Sequence, residues 1–308
     1  MHPVRLQVLL APEVGRESMN EITVVVEAKN LLGEGPVWCP RERVLWWVDI
    51  ISREILRLDP ATGQVDRWRT ERRPCCLAVR DVGGLMVAFD KGFGAFDPRS
   101  GLVTWRADNE RDTPRTRIND GKVDRRGRFF VGTLDDELKE HLGALYRFDP
   151  DGTITSLDIG FGISNGPAWS PDDLRFYFGD SMDKAIYVYD FDMNAGTVAN
   201  KRVFATIDAN PGIPDGATVD AEGCLWSAQW DAWRVVRYRP DGTVERVLKM
   251  PVRRPTSCMF GGNDLRTLYV TSAIWDPSDP RLVDEPEAGS LFAVDVGVRG
   301  LPEPRFAG

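Results

Sequence analysis

One motif recurs six times along this chain: a short turn, often with an acidic or amide residue before glycine, leads into two apolar strands and then toward an Asp-Pro or Asp-Gly turn. The openings read Gly33-Glu34-Gly35-Pro36, Arg73-Pro74-Cys75, Arg117-Ile118-Asn119-Asp120-Gly121, Ile163-Ser164-Asn165-Gly166-Pro167, Ile213-Pro214-Asp215-Gly216 and Arg254-Pro255-Thr256-Ser257. Each precedes an apolar or alternating run: Val44 to Ile50, Gly84 to Phe89, Arg128 to Gly132, Arg175 to Gly179, Cys224 to Ala228 and Thr267 to Thr271. A spacing of roughly 40 to 50 residues is that of one four-stranded blade in a β-propeller. The expected fold is therefore all-β, a six-bladed β-propeller. A lone blade cannot bury both its faces, so the repeats stack around an axis and every innermost strand starts near one central channel. Glu34, Asn119, Asn165 and Asp215 hold equivalent openings and should converge there, which predicts a metal site at the central channel.

The 308 residues, 42% of them hydrophobic, suffice for a substantial core. The repeat argues for one closed domain over 22–308, preceded by an N-terminal extension over 1–21, with Met19 as an alternative natural start. Ile22-Thr23-Val24-Val25-Val26 is β-branched and precedes the first opening, so it is expected to pair with the last blade around Ser290 to Val294 and remove the open edges. The net charge of −8, with Lys and Arg scattered, points away from nucleic acid and from an anionic membrane surface. No obligate protein partner is evident. The five cysteines are odd in number, without CxxC, which fits a reducing compartment. With no signal-peptide pattern and no stretch long enough to span a bilayer, the expected location is cytoplasmic.

Composition removes several mechanisms. The two histidines are His2 and His141, so a Ser-His-Asp or Cys-His arrangement would rest on His141 alone. There is no GxSxG, no GxxxxGK[ST] and no His-rich zinc pattern. What remains is an all-oxygen set, Glu34, Asn165 and Asp215, whose donors suit a hard divalent cation such as Ca²⁺, Mg²⁺ or Mn²⁺, with Zn²⁺ or Fe²⁺ also compatible. Asn165-Gly166 and Asp215-Gly216 also read as ordinary turns, whereas Glu34 has no such turn preference. Arg117 and Asn119 add a cationic fork and an amide that match sugar hydroxyls, although Arg117 reads as well as a blade-to-blade ion pair. Asp180-Ser181 and Gln229-Trp230 follow second strands near the rim. Most of the ten tryptophans read as inter-blade packing, with Trp169 or Trp230 available to floor a sugar site.

Taken together, Leu32-Gly33-Glu34-Gly35-Pro36-Val37-Trp38, Arg117-Ile118-Asn119-Asp120-Gly121-Lys122-Val123-Asp124, Gly143-Ala144-Leu145-Tyr146, Asp220-Ala221-Glu222-Gly223-Cys224-Leu225-Trp226 and Thr256-Ser257-Cys258-Met259-Phe260-Gly261-Gly262 resemble the senescence-marker-protein, gluconolactonase and luciferin-regenerating-enzyme family, to which regucalcin belongs. The resemblance runs from about Ile22 to Gly308. It implies a six-bladed propeller that hydrolyses a sugar lactone, such as an arabinono-, xylono- or gluconolactone, with one divalent metal ion. It also implies Glu34, Asn165 and Asp215 as metal ligands, Asp215 as the catalytic carboxylate, and Arg117, Asn119 and Glu137 as substrate contacts. A lactone isomerase, a calcium-binding regulatory protein without significant catalysis, and a propeller interaction scaffold are the alternatives. The Arg117 and Asn119 pair favours an enzyme over a pure metal binder.

Overall fold

The computed structural model of the chain describes residues 21–109, 113–207 and 212–308. The expected extension lies almost wholly outside the described residues, as does Met19. The described residues form six four-stranded antiparallel sheets and no α-helix; a short 3-10 turn spans Pro280–Asp284. Each sheet is one blade, and in the first five blades chain order runs from the innermost strand outward. Contacts between successive innermost strands close the ring, with Gly33–Cys39 of blade one packed against both Pro74–Val79 of blade two and Pro255–Gly261 of blade six.

Blade six takes its outer strand from the other end of the chain. Thr23–Val26 pairs antiparallel with Leu291–Asp295, placing Thr23 opposite Ala293 and Val24 opposite Phe292. The expected latch is present, and it gives the first and last blades no unpaired seam.

Burial grades from the axis outward, as the sequence pattern requires. Val44–Asp49, the second strand of blade one, is buried at every position because neighbouring blades cover both its faces. The outer strand Gln64–Arg69 mixes exposed and half-buried positions, with none fully buried. Trp46, Trp47 and Trp226 are fully buried between blades. A ring that removes 150–250 Å² from water contributes about 4–6 kcal/mol at about 25 cal/mol per Å². Trp169 is also core, edge-on to Phe130 at 5.1 Å and tilted against Phe176 at 5.0 Å, so it does not floor a sugar site. All five cysteines are free and buried.

Residues 299–308 cross the end of the ring away from the blade openings. Arg299 O accepts from Ala221 N of blade five at 2.8 Å, Gly300 N donates to Leu265 O of blade six at 2.8 Å, and Phe306 N donates to Val79 O of blade two at 2.9 Å. Phe306 stacks on Phe148 of blade three at 5.5 Å.

Candidate functional site

The openings are not turns. Each lies in an innermost strand, and each strand slips register at the same place: between Glu34 and Val37, Pro74 and Cys76, Ile118 and Gly121, Asn165 and Ala168, Pro214 and Ala217, and Pro255 and Cys258. A bulge leaves residues unpaired and re-aims their side chains. In two blades glycine makes the bulge, at Gly35 (φ +52°) and Gly166 (φ +58°), where a Cβ would be strained. The turn reading of Asn165-Gly166 and Asp215-Gly216 is thereby replaced by six equivalent bulges around one axis.

Glu34, Asn165 and Asp215 stand at three of these bulges, with 7, 3 and 9% of their surface exposed. The Glu34 and Asp215 carboxyls lie close enough to act on each other's protonation. Burial, then the negative charges of Asp215 and Asp120, hold the Glu34 carboxyl well above the usual carboxylate range. Burial and Asp120 raise Asp215 in the same way. Asp120, not singled out from the sequence, is the third buried carboxylate, raised by burial and partly offset by the Gly166 N–H. It accepts from Gly121 N at 2.7 Å and from Gly166 N of the next blade at 2.8 Å. Among the described residues none of these three carboxylates has an ion pair with Lys or Arg. Buried like charges without a counter-ion are costly, and a divalent cation held by oxygen donors satisfies them. The residues present therefore fit such an ion.

A hydrogen-bonded chain orders the amides. Asn119 Nδ2 donates to Asn165 Oδ1 and to Ser164 O, each at 3.0 Å. Asn165 Nδ2 donates to Ser181 Oγ at 2.8 Å, and Ser181 Oγ donates to Pro214 O at 2.5 Å, beside Asp215. Blades three, four and five are thus linked through the site. Arg117 is buried; its Nη1 donates to Asn119 Oδ1 at 2.9 Å and its Nε to Asp136 Oδ1 at 2.9 Å. Asp136 also receives both Arg73 amino groups of blade two, at 3.1 and 2.7 Å. The ion pair of Arg117 lies within blade three and reaches blade two only through Asp136 and Arg73, in place of the expected direct blade-to-blade pair. A ligand role is compatible with it, since no bond from Arg117 Nη2 is found among the described residues.

Glu137 is not gathered with these groups. It follows the strand Phe129–Asp135, and its carboxylate pairs with Lys139 at 3.0 Å with its side chain 54% exposed. His141 is exposed and bonded to Asp183 at 2.9 Å, and among the described residues no hydrogen bond joins it to a serine or a cysteine. Asp180 is a fastener, its carboxylate accepting from Gly162 N at 2.8 Å, Ile163 N at 3.1 Å and Met182 N at 3.0 Å. Asp49 plays the same part in blade one, accepting from Leu31 N at 2.8 Å and Leu32 N at 3.1 Å. Gln229 is buried and spent on Tyr238 and Arg234. The recurrence of Asp at the ends of second strands was the available signal for these fasteners.

The chain and its architecture have clear relatives. The model of the SMP-30/gluconolactonase/LRE-like region matches residues 32–274. The chain belongs to that family. Similar members include a 6-deoxy-6-sulfogluconolactonase of Pseudomonas putida, 41% identical over 94% of this chain and 100% of that one. A pentonolactonase of Haloferax volcanii is 39% identical over 92% of this chain and 97% of its own. Among solved structures, a calcium-binding regucalcin of Agrobacterium tumefaciens superposes with a TM-score of 0.89 at 30% identity, covering 92% of this chain and 97% of that one. The family's fold is therefore the propeller described above.

Proposed function

We propose that this member of the family is a sugar lactonase that hydrolyses an aldonolactone to the free sugar acid with one divalent cation. The observation that carries the reading is the juxtaposition of uncompensated buried carboxylates, Glu34 and Asp215, with the Arg117 and Asn119 pair that can hold hydroxyls. The lactonase relatives support the reaction class, and the calcium-binding relative supports the ion.

Glu34, Asn165 and Asp215 would hold the cation. When bound, it supplies polarisation of the lactone carbonyl and stabilisation of the charge that develops on its oxygen. Asp215 accepts a proton from the attacking water and returns it to the ring oxygen as the ester C–O bond breaks, which leaves a carboxylic acid and an alcohol. Arg117 and Asn119 fix the sugar hydroxyls by charge-assisted and amide hydrogen bonds and so align the carbonyl. Their mutual bond at 2.9 Å and the anchorage on Asp136 hold that geometry before substrate arrives.

The test is initial-rate proton release from a panel of pentono- and hexonolactones, on chelated protein with single metals added back. Metal-dependent turnover, lost by about 10²-fold or more in Asp215→Asn, is expected. Tight metal binding with no rate above spontaneous opening would replace this reading with that of a calcium-binding protein.

A further inference from the structure

Blade three, which carries Arg117 and Asn119, stands across the ring from blade six. The rim of blades five and six is aromatic. Trp230 ends the strand Leu225–Trp230 and pairs with Ile213, two residues before Asp215. Trp275 follows the strand Thr267–Ser272, and its backbone N–H donates to Leu31 O at 2.7 Å, three residues before Glu34. The two rings meet edge to face, 5.4 Å apart at 89°. Trp230 also packs against the cluster that contains Leu32, Ile50 and Ala273. The Arg254 guanidinium covers the Trp230 ring at 4.9 Å and is itself held by Asp231 at 2.9 Å and Ile274 O at 3.0 Å. The pair is thus built in on three sides, yet 37% of Trp275 stays exposed. Trp275 sits at φ +66°, a conformation that disfavours a bulky side chain and persists where the surroundings impose it.

We propose that Trp230 and Trp275 form the apolar wall of the substrate site, against which the C–H face of the lactone packs while its hydroxyl edge meets Arg117 and Asn119, and that this wall sets preference for carbon-chain length. The inference rests on the lactonase reading. A sugar presents one polar edge and one apolar face, and a site of a few polar groups opposed to an aromatic surface matches both. Arg254 covers the Trp230 ring and the Trp275 ring meets it at a right angle, so the exposed part of Trp275 supplies the free surface. Each added carbon then gains or loses contact with one ring, the kind of discrimination a hydrophobic wall provides.

The experiment compares KM and kcat of the metal-loaded unaltered chain with Trp275→Ala, Trp275→Phe and Trp233→Ala across pentono- and hexonolactones. Trp233 is a control, 42% exposed in the same hairpin and without ring contact to the pair. Trp275→Ala is expected to raise KM for hexonolactones by about 3- to 10-fold and less for pentonolactones, with kcat nearly unchanged. Trp275→Phe, which keeps a ring and guards against misfolding, should recover most of the loss, and Trp233→Ala should match the unaltered chain. Unchanged KM in folded Trp275→Ala, or an equal rise for every chain length, overturns the inference and leaves the lactonase reading standing. Absence of turnover by the unaltered chain removes both.

Discussion

Asn119 of blade three and Asn165 of blade four meet across the blade boundary, the first donating its amide N–H to the second's Oδ1 at 3.0 Å. With Ser181 accepting from the other end of the Asn165 amide at 2.8 Å, the orientation of that amide is settled from both sides. The Oδ1 keeps a second lone pair for a cation, and Arg117 is anchored through the same Asn119. On the proposed reading, the metal and substrate sites would share this one hydrogen-bonded unit.

Asn119→Ala is expected to weaken divalent-metal affinity by about 10- to 100-fold, the usual effect of removing a partner that orients a ligand. Calorimetric titration with Ca²⁺ measures it without substrate. Affinity equal to that of the unaltered chain would show that Ser181 alone suffices to aim Asn165.

The raised Glu34 carboxyl has a signed consequence for the metal-free protein. Its folded pKa lies above its unfolded value, so between the two the folded chain binds more protons than the unfolded one. The stability contribution is full below the ordinary carboxylate value and is lost as pH rises from there through the folded value. Chelated protein should melt at progressively lower temperature from acidic toward alkaline pH, and saturating Ca²⁺ should flatten the trend by replacing the proton. Glu34→Gln should lessen the slope in chelator; an unchanged slope would place its origin elsewhere.

Gly216→Ala should destabilise the fold by about 1–3 kcal/mol, as overpacking does. An added Cβ would stand 2.8 Å from Ser257 Cα and nearer still to the Ser257 hydroxyl, where blades five and six touch. Denaturant unfolding gives the value, and a midpoint equal to that of the unaltered chain would mean the blades separate there without cost.

Thiol chemistry should be silent in the native state. Burial pushes Cys75 and Cys258 up to about 12, and it raises Cys39, Cys76 and Cys224 as well. A chromogenic disulfide reagent should titrate five thiols per chain in denaturant and react slowly at most with folded protein, because the thiolate is the reactive form. Rapid native labelling at neutral pH would contradict the buried positions.

The blade count, the strands and the closing latch were legible along the chain because they rest on short-range rules. Alternating or continuous apolar runs, Asp-Pro and Asp-Gly turns and the β-branched Ile22 to Val26 segment each declare their local conformation, and a period of roughly 40 to 50 residues does the rest. Glu34, Asn165 and Asp215 could be proposed together because equivalent positions in a closed ring must approach one axis. The tertiary structure alone decided how those positions present their side chains. The bulges that lift them out of the ladder depend on pairing with the second strand, and the clustering of Asp120 with Glu34 and Asp215 depends on packing between blades far apart in the chain. Trp169 and Trp230 were indistinguishable as residues; contact with Phe130 and Phe176 buried the first in the core, and contact with Trp275 and Arg254 set the second at the rim. A sequence carries local preference and periodicity, whereas burial, charge proximity and the direction of a side chain are properties of neighbours that only the closed ring brings together.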